Sequence, residues 1–328
     1  MDRRIDEATL KELENHAAEI AEGAGKILAG HFGRSMKVDY KDDAGRDPVT
    51  EADRETQSYL VDAIKGRFPD HGVLGEEDDE ATRDDTSTAP DFLWVLDPLD
   101  GTRNFLHGLP VYASSIGVLF KGAPVAGAVF IPWPGAEGGG LVFHARKGGG
   151  AFVDGQRISV LDADGPSGNL LVTLPAGFGA FVGFRRPMMG KVGEMRVTGS
   201  IAYELVMVAR GVSQYMVTTA PHLWDVAGGV ALVMEAGGIL MRGSRDAGPL
   251  GLFPSTRWEE AESLVPDWRS GQTSLGDVRR WRAPLTLGSP GVARFVTANM
   301  RRRSNLRRRL VGRIRRLSPR RPKNDARG

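Results

Sequence analysis

Hydrophobic residues recur at helical spacing at the start of the chain. Within residues 1–32, apolar side chains fall three or four positions apart, at Leu10, Leu13, Ala17, Ile20, Ala24, Ile27 and Leu28. This spacing predicts an amphipathic helix, and Gly33 follows it as a C-terminal cap. A second helix is predicted from Thr50 or Asp53 to Arg67.

Short apolar runs bounded by turn residues follow, and this pattern is typical of buried strands. Strands are predicted at Phe92–Leu96, Ala113–Phe120, Ala123–Phe130, Gly140–His144, Leu170–Leu174 and Gln214–Thr218. Helices are predicted from Ser200 to Arg210 and from Asp225 to about Ala236. Because strands and helices alternate in the second half of the chain, the pattern favours an α/β arrangement there.

The pattern also divides the chain into parts. Residues 1–145 form a predicted N-terminal α+β half, and residues 146–300 form a C-terminal α/β half. Periodicity is weak over residues 243–288, which we interpret as an insertion before a last strand near Ala293–Thr297. Residues 301–328 are a basic tail.

Composition narrows the class of protein. The chain has 328 residues, of which 41% are hydrophobic, enough to bury a substantial core. It contains no cysteine, which excludes disulfides, thiolate zinc sites and cysteine nucleophiles. The N-terminus lacks the apolar block of a signal peptide, and no run approaches the roughly 18–20 apolar residues of a membrane span. We therefore expect a cytoplasmic protein.

Charge is distributed unevenly along the chain. The tail at 301–328 carries 13 Lys or Arg residues and one acid, whereas the remainder carries 30 bases and 40 acids. Its leucines, with Val311 and Ile314, fall at helical spacing among the arginines, which describes a basic amphipathic helix. Such a helix suits an anionic membrane surface. Nucleic acid is the alternative partner, and a disordered solubilising tail that binds neither is the remaining alternative.

The strongest chemical signal is the run Asp97-Pro98-Leu99-Asp100-Gly101-Thr102, directly after the predicted strand at 92–96. Two carboxylates would lie together at one edge, beside the backbone N–H groups of a following helix. A helix N-terminus attracts anions and carboxylates repel them, so the pair makes sense with divalent cations between carboxylates and phosphate. Oxygen ligands favour Mg²⁺ or Mn²⁺ over zinc. The alternative is an Asx turn and N-cap.

Three further acids stand at element ends. Glu76 follows the apolar Val73-Leu74, and would supply the extra carboxylate that a two-metal site needs, with a solvated loop charge as the alternative role. Asp225 and Asp53 each stand at a predicted helix start, where N-capping is the alternative role. Gly228 and Gly229 weaken a helix by about 1 kcal/mol each, so their presence after Asp225 indicates close backbone packing.

Taken in order, these runs resemble the inositol monophosphatase family of lithium-sensitive, magnesium-dependent phosphatases. The matching runs are DPVTEAD (47–53), GEE (75–77), WVLDPLDGTRNF (94–105), RKGGGAF (146–152), GSIA (199–202) and WDVAGG (224–229). The resemblance implies a layered αβαβα sandwich, with the active site between the two halves. It also implies a homodimer.

The resemblance implies a role for each matching residue. Glu76, Asp97 and the Leu99 carbonyl would hold one Mg²⁺, and Asp97, Asp100 and Asp225 a second, with a third weaker ion near Glu76. Thr102, hydrogen-bonded to Asp53, would orient the attacking water, so that Asp53, Thr102 and Glu76 form the catalytic set. The substrate would contact Asp100, the N–H groups of Gly101 and Thr102, and the leaving-group pocket residues Gly199 and Ser200.

The implied activity is phosphomonoester hydrolysis of a small phosphorylated metabolite such as an inositol phosphate or sugar phosphate. Inositol phosphatases carry a sugar-binding glutamate seven residues before the last metal-binding aspartate, and Thr218 stands at that position here. Inositol 1-phosphate is therefore in doubt. The alternative substrates are fructose 1,6-bisphosphate, histidinol phosphate and a 3′-phosphorylated adenosine nucleotide. The alternative class is a catalytically silent scaffold that acts through the basic tail.

Overall fold

A computed structural model describes residues 5–35, 37–41, 48–78, 86–132, 139–246 and 255–302. Helix α1 (Glu7–His31) begins where the Asp6 side chain accepts a hydrogen bond from Thr9 N. Helix α2 (Glu51–Arg67) begins with a capping box, in which Thr50 and Asp53 exchange hydrogen bonds. Both predicted helices are confirmed, and each begins with the capping pattern that its sequence provides.

Two large sheets form the body of the molecule. A small pair, β1 (Val38–Tyr40) and β2 (Pro48–Thr50), precedes them. The first large sheet holds seven strands in sequence order: β3 (Gly72–Gly75), β4 (Phe92–Asp100), β5 (Ala113–Phe120), β6 (Ala123–Ile131), β7 (Leu141–Arg146), β8 (Gly150–Val153) and β9 (Gln156–Ile158). Strands β3 and β4 pair in parallel, and each later pair along this sheet is antiparallel.

The second large sheet is mixed and has the strand order β12-β10-β13-β16-β14-β15. The strands of this half are β10 (Leu171–Thr173), β11 (Val182–Phe184), β12 (Glu194–Arg196), β13 (Ser213–Thr218), β14 (Ile239–Asp246), β15 (Ser255–Ala261), β16 (Leu285–Gly288) and β17 (Met300–Arg302). Strands β11 and β17 form a separate pair.

Helices lie on both sides of and between the sheets. Besides α1 and α2 they are α3 (Thr102–Leu106), α4 (Phe178–Phe181), α5 (Ile201–Ala209), α6 (Leu223–Glu235), α7 (Leu275–Arg279) and α8 (Pro290–Ala298). Helices α1 and α2 pack on the outer face of the seven-stranded sheet, α5 and α6 fill the space between the sheets, and α8 packs beyond the second sheet. The layers therefore follow the predicted αβαβα order.

Buried apolar clusters hold these layers together. One lies between α1, α2 and the first sheet, and includes Leu13 and Trp94. The largest fills the central layer around α5 and α6. Another lies between the second sheet and α8, and includes Tyr215 and Val296. Burial of apolar area on both faces of each sheet supplies the main stabilisation.

Several predicted boundaries need correction. The strand predicted near Ala293–Thr297 is wrong, because those residues lie in helix α8, which begins with Pro290 in its first turn. The predicted insertion at 243–288 contains β15, α7 and β16 and part of β14, so it contributes strands to the second sheet. Its status as an insertion and the division into halves stay predictions.

Two further predictions concern membrane-spanning helices and the basic C-terminal tail. Among the described residues, no helix combines the length and the apolar character needed to cross a bilayer. The basic tail at 301–328 lies outside the described residues beyond Arg302, and its amphipathic helix stays a prediction.

Candidate active site

The candidate site begins at an irregularity in β4. In the pairing of β4 with β5, Asp97 lies opposite Ser115 and Asp100 lies opposite Ala113. Strand β4 thus holds one more residue than its partner over this stretch, which is a β-bulge around Pro98. A bulge re-aims side chains, and here the charge of Asp100 lies close enough to raise the pKa of Asp97. The predicted strand end at Leu96 is corrected, because β4 continues to Asp100.

Glu76 lies immediately after β3, on the neighbouring strand end. Its N–H donates to Leu96 O at 3.0 Å, which continues the pairing of β3 with β4. The Lys41 ammonium donates to Glu76 Oε1 at 2.9 Å and to Glu77 Oε1 at 2.8 Å. Burial and the charge of Glu76 raise the pKa of Glu77 to about 7. The charge of Lys41 therefore balances part of the negative charge of Glu76 and Glu77.

Asp225 enters the site from the central helix layer. It is the third residue of α6, and its Oδ2 accepts a hydrogen bond from His222 N at 2.7 Å. The predicted N-cap position for Asp225 is corrected, because His222 occupies it. Burial raises the pKa of Asp225 to about 7, and the charge of Glu76 acts in the same direction.

These acids raise one another's pKa values. Burial raises the pKa of Asp97 and of Asp100 well above the ordinary value, and neighbouring charges add to this effect. For Asp97 the neighbours are Glu76, Asp100 and Asp225, and for Asp100 they include Asp225 and Glu76. The region therefore holds more negative charge than its own surroundings neutralise. Oxygen donors with surplus negative charge fit a hard divalent cation such as Mg²⁺.

The pairing of Thr102 with Asp53 is present. Thr102 Oγ1 lies 3.3 Å from Asp53 Oδ1 and 3.0 Å from Leu99 O. The other Asp53 oxygen, Oδ2, accepts hydrogen bonds from Thr50 N at 2.8 Å and Thr50 Oγ1 at 2.5 Å. Burial raises the pKa of Asp53 to about 6. Asp53 is thus a fixed, buried acceptor that is ionised at neutral pH.

The orientation of Asp100 is set by the second half of the chain. Its Oδ2 accepts hydrogen bonds from Ser200 Oγ at 2.8 Å and from Ala202 N at 2.5 Å. Ser200 is the N-cap of α5, where its Oγ also accepts from Tyr203 N at 3.3 Å. The start of α5 therefore holds one oxygen of Asp100 with two donors.

Two glycines in the candidate site allow the backbone to lie very close to neighbouring residues. Gly101 has φ +93°, and a Cβ at this position would lie 3.0 Å from Val111 O and 3.1 Å from Ser200 Cβ. Gly199 has φ +85° and lies beside the Asn104 amide, which donates to backbone carbonyls on both sides of the site. Helix α3 begins directly after Gly101, so the helix on which the sequence argument depended is present.

The structure thus brings the predicted residues together where β3 and β4 end and where α2, α3, α5 and α6 begin. Asp53, Glu76, Asp97, Leu99, Asp100, Gly101, Thr102, Gly199, Ser200 and Asp225 are joined there by the hydrogen bonds and mutual pKa effects described above. Over the described part of the chain, however, no three acidic or histidine side chains form a ready-made metal-coordinating group. The acids are neighbours, and their exact ligand geometry stays a prediction.

Thr218 is not available as a substitute for the sugar-binding glutamate. It is 3% exposed, and its Oγ1 accepts a hydrogen bond from Leu285 N at 3.3 Å. The side chain at the position that the resemblance assigns to substrate recognition is therefore buried and bonded to the neighbouring strand β16.

Sequence reasoning missed three basic residues around the site. Lys41 lies in a polar stretch without periodicity, and Arg279 and Arg282 lie in the segment interpreted as an insertion. Arg282 Nη2 lies 2.6 Å from His222 Nε2, and its charge lowers the pKa of Asp225 against the raising effect of burial. No local motif marks these residues, because their acidic partners are distant in sequence.

Comparison with known proteins decides the family. The model of the inositol monophosphatase family matches residues 9–272. This chain belongs to the inositol monophosphatase family. It is accordingly a hydrolase of phosphate monoesters, and members of this family use metal ions, generally Mg²⁺.

Individual relatives agree with this assignment. The chain is 34% identical over 217 residues to a fructose-1,6-bisphosphatase/inositol-1-monophosphatase of Thermotoga maritima, covering 66% of this chain and 79% of the relative. It is 31% identical over 238 residues to inositol monophosphatase 1 of Sus scrofa, covering 70% and 83%. The fold is similar to that of the extragenic suppressor protein SuhB of Bartonella henselae, with a TM-score of 0.63, 23% identity and coverage of 88% and 97%.

Proposed function

We propose that this member of the inositol monophosphatase family hydrolyses a small phosphorylated metabolite, with Mg²⁺ held by Glu76, Asp97, Leu99 O, Asp100 and Asp225. Two or three ions would bind, and Mn²⁺ would substitute. Asp97 would bridge two of them. The observation that supports this ligand set is the surplus of buried negative charge, in which burial, together with the neighbouring acids, raises the pKa values of Asp97 and Asp100.

Bound divalent cations lower the pKa of a coordinated water and neutralise charge on the leaving oxygen. The chain supplies the remaining groups. Thr102 Oγ1 would accept a hydrogen bond from the attacking water while its hydroxyl donates a hydrogen bond to Asp53 Oδ1, 3.3 Å away. Asp53 stays ionised above about pH 6, so it can accept this hydrogen bond in neutral solution.

The N–H groups of Gly101 and Thr102 are proposed to contact the phosphoryl oxygens, and preorganised donors of this kind stabilise developing negative charge. Gly199 and Ser200 would border the leaving group. Because a buried threonine, Thr218, stands at the position of the sugar-binding glutamate, an inositol diol would lack its usual carboxylate partner. The proposed substrate is an inositol phosphate or sugar phosphate, with inositol 1-phosphate itself disfavoured. Fructose 1,6-bisphosphate, histidinol phosphate and a 3′-phosphorylated adenosine nucleotide are the alternatives.

A panel assay tests the proposal. Phosphate release is measured for the purified protein with these substrates and inositol 1-phosphate, in Mg²⁺ and in EDTA, beside Asp97→Asn. We expect release from at least one substrate that needs Mg²⁺ and falls about 100- to 1000-fold in Asp97→Asn, as expected for loss of several kcal/mol of charge stabilisation. Absence of release from every substrate would support the silent scaffold instead.

We further propose a cytoplasmic homodimer, on the basis of the family resemblance. The basic tail would attach it weakly to anionic membranes, supported by 13 bases against one acid at residues 301–328. Co-sedimentation with anionic liposomes, with and without residues 303–328, tests this role. Equal binding by both forms would contradict it.

A further inference from the structure

Arg279 is a buried arginine whose guanidinium forms hydrogen bonds with the loop that carries Glu76. Its Nη1 donates to Gly75 O at 2.8 Å and lies 3.3 Å from Asp78 Oδ2. Its Nη2 donates to Glu76 O at 3.1 Å and to Asp78 O at 3.2 Å. One side chain, 6% exposed, thus binds three backbone carbonyls and one carboxylate of the loop.

The same guanidinium also touches the helix that carries Asp225. It lies 5.2 Å from the centroid of the Trp224 ring, in a cation–π contact. Trp224 precedes Asp225 in the first turn of α6 and is 6% exposed. Arg279 therefore lies between two elements that each bring one carboxylate to the site.

The Glu76 backbone is fixed on both sides. Its N–H donates to Leu96 O on β4, and its carbonyl accepts from Arg279. Gln57 supports the same loop, since its Oε1 accepts from Glu77 N at 2.9 Å and its Nε2 donates to Asp78 Oδ1 at 3.0 Å. Arg279 is the cationic member of this network, and burying a cation is favourable only where partners such as these satisfy it.

We propose that Arg279 is a positioning residue, which holds the Glu76 loop against the start of α6 and thereby sets the affinity of the site for Mg²⁺. This inference rests on the proposed function. Arg279 lies in α7, beyond residues 9–272 that match the family model. The segment before β16 therefore supplies a support for the site that the family motifs do not contain.

Two substitutions at Arg279 test this role. Arg279→Gln removes the charge and the fork of donors, and Arg279→Lys keeps the charge but cannot serve four acceptors in a fixed plane. The matched control is Arg280→Gln, because Arg280 is the next residue, is exposed and pairs with Asp277 at 2.8 Å. Isothermal titration of Mg²⁺ into each metal-free full-length protein measures affinity directly. The Mg²⁺ concentration for half-maximal phosphate release and kcat at saturating Mg²⁺ are measured beside it.

We expect Arg279→Gln to weaken Mg²⁺ binding roughly 10-fold or more, the usual effect of losing a residue that orients a metal ligand. Arg279→Lys should fall between wild type and Arg279→Gln, and kcat should largely recover at saturating Mg²⁺. Arg280→Gln should bind like wild type. If Arg279→Gln does not fold, Arg279→Lys alone must still weaken binding by about 3-fold or more.

Two results separate this inference from the proposed function. Mg²⁺ affinities that agree within about twofold between wild type and a folded Arg279 variant would overturn the positioning role, even if the melting temperature falls. A wild-type protein that binds Mg²⁺ but releases no phosphate would overturn the proposed function, while the titration still decides the role of Arg279.

Discussion

Asp97 is 1% exposed, although its neighbours Glu76, Asp100 and Asp225 are also acids. Burying a carboxylate beside like charges costs free energy of folding. Such an arrangement reduces stability, and proteins retain it where function needs it. The cost should therefore be visible when one charge is removed.

Asp97→Asn should stabilise the metal-free protein while strongly lowering the rate of phosphate release. Asparagine keeps the shape and an oxygen that can accept the hydrogen bond from Leu99 N, 3.1 Å away in the wild type. Because it removes one repelling charge, we expect a gain of about 1 kcal/mol in the free energy of unfolding. Urea unfolding in EDTA measures this gain. A loss of stability in the Asp97→Asn protein would contradict the charge argument, and the exposed Asp70→Asn serves as control.

The raised pKa values also set a pH dependence. Burial raises the pKa of Asp53 to about 6 and that of Asp225 to about 7, from the ordinary value of 3.8. Between about pH 4 and pH 7 the folded state therefore binds more protons than the unfolded state. It follows that these groups stabilise the fold at low pH, and that this stabilisation is lost as pH rises to about 7.

We accordingly expect the Asp225→Asn substitution to flatten the pH dependence of the melting temperature in EDTA. In wild type, the contribution of Asp225 should fall from about pH 4 to about pH 7, so the difference between variant and wild type should grow over the same interval. Thermal unfolding at constant ionic strength measures both proteins. A difference that stays constant over this interval would show that Asp225 titrates normally.

At the scale of elements, helix α6 can hold Asp225 in place because it packs very closely on the first sheet. A Cβ on Gly228 would lie 2.8 Å from Ile116 O and 2.8 Å from Ser115 Oγ. On the sheet side, a Cβ on Gly127 would lie 2.6 Å from Gly228 O. The close packing that the sequence predicted from Gly228 is confirmed.

Gly228→Ala should therefore destabilise the protein, although alanine is the better helix former. The added methyl group meets backbone on β5, so α6 must shift, and overpacking of this kind costs about 1–3 kcal/mol. Gly30→Ala is the matched control, because Gly30 lies in α1 with no atom within 4 Å of the new Cβ. We expect the control to gain up to about 1 kcal/mol. Equal effects in urea unfolding would refute the packing argument.

The sequence predicts elements well where one local pattern dominates. Thr50 and Asp53 mark the start of α2, and the apolar runs of β5 and β6 have nearly the observed bounds. The acids of the candidate site were found because they lie in short, distinctive runs. Such signals are local, and capping and periodicity are local effects.

The wrong strand prediction and the missed arginine both result from interactions between residues that are distant in sequence. The run Ala293–Thr297 contains β-branched residues that favour a strand, yet Pro290 begins a helix whose Val292 and Val296 pack on the second sheet. Tertiary packing overrides intrinsic preference there. Arg279 was missed because its partner Gly75 lies 204 residues earlier, where no sequence window connects the two.

At the scale of the whole molecule, the candidate ligands come from both halves of the chain. Glu76, Asp97 and Asp100 lie at or just after the C-terminal ends of β3 and β4, and Asp225 lies on a helix that contacts both sheets. An unfolded chain cannot bring these groups together. Any cation that binds them must therefore bind the folded state preferentially, and it must stabilise the molecule as a whole.

Mg²⁺ should raise the melting temperature through this linkage. At a concentration about 100 times its Kd, one bound ion stabilises the folded state by about 2.7 kcal/mol. For a chain of 328 residues this corresponds to an increase of about 4 °C, since the unfolding entropy scales with length. Differential scanning calorimetry in MgCl₂ and in EDTA measures the shift, with KCl at equal ionic strength as control.

The same measurement on Asp97→Asn separates site binding from general salt effects. The charge of Asp97 interacts with acids of both halves, so its neutralisation should remove most of the Mg²⁺-induced shift while leaving the response to KCl unchanged. A shift of the same size in wild type and variant would mean that the ion stabilises some other part of the surface. The four acids would then be neighbours that share charge without sharing a cation.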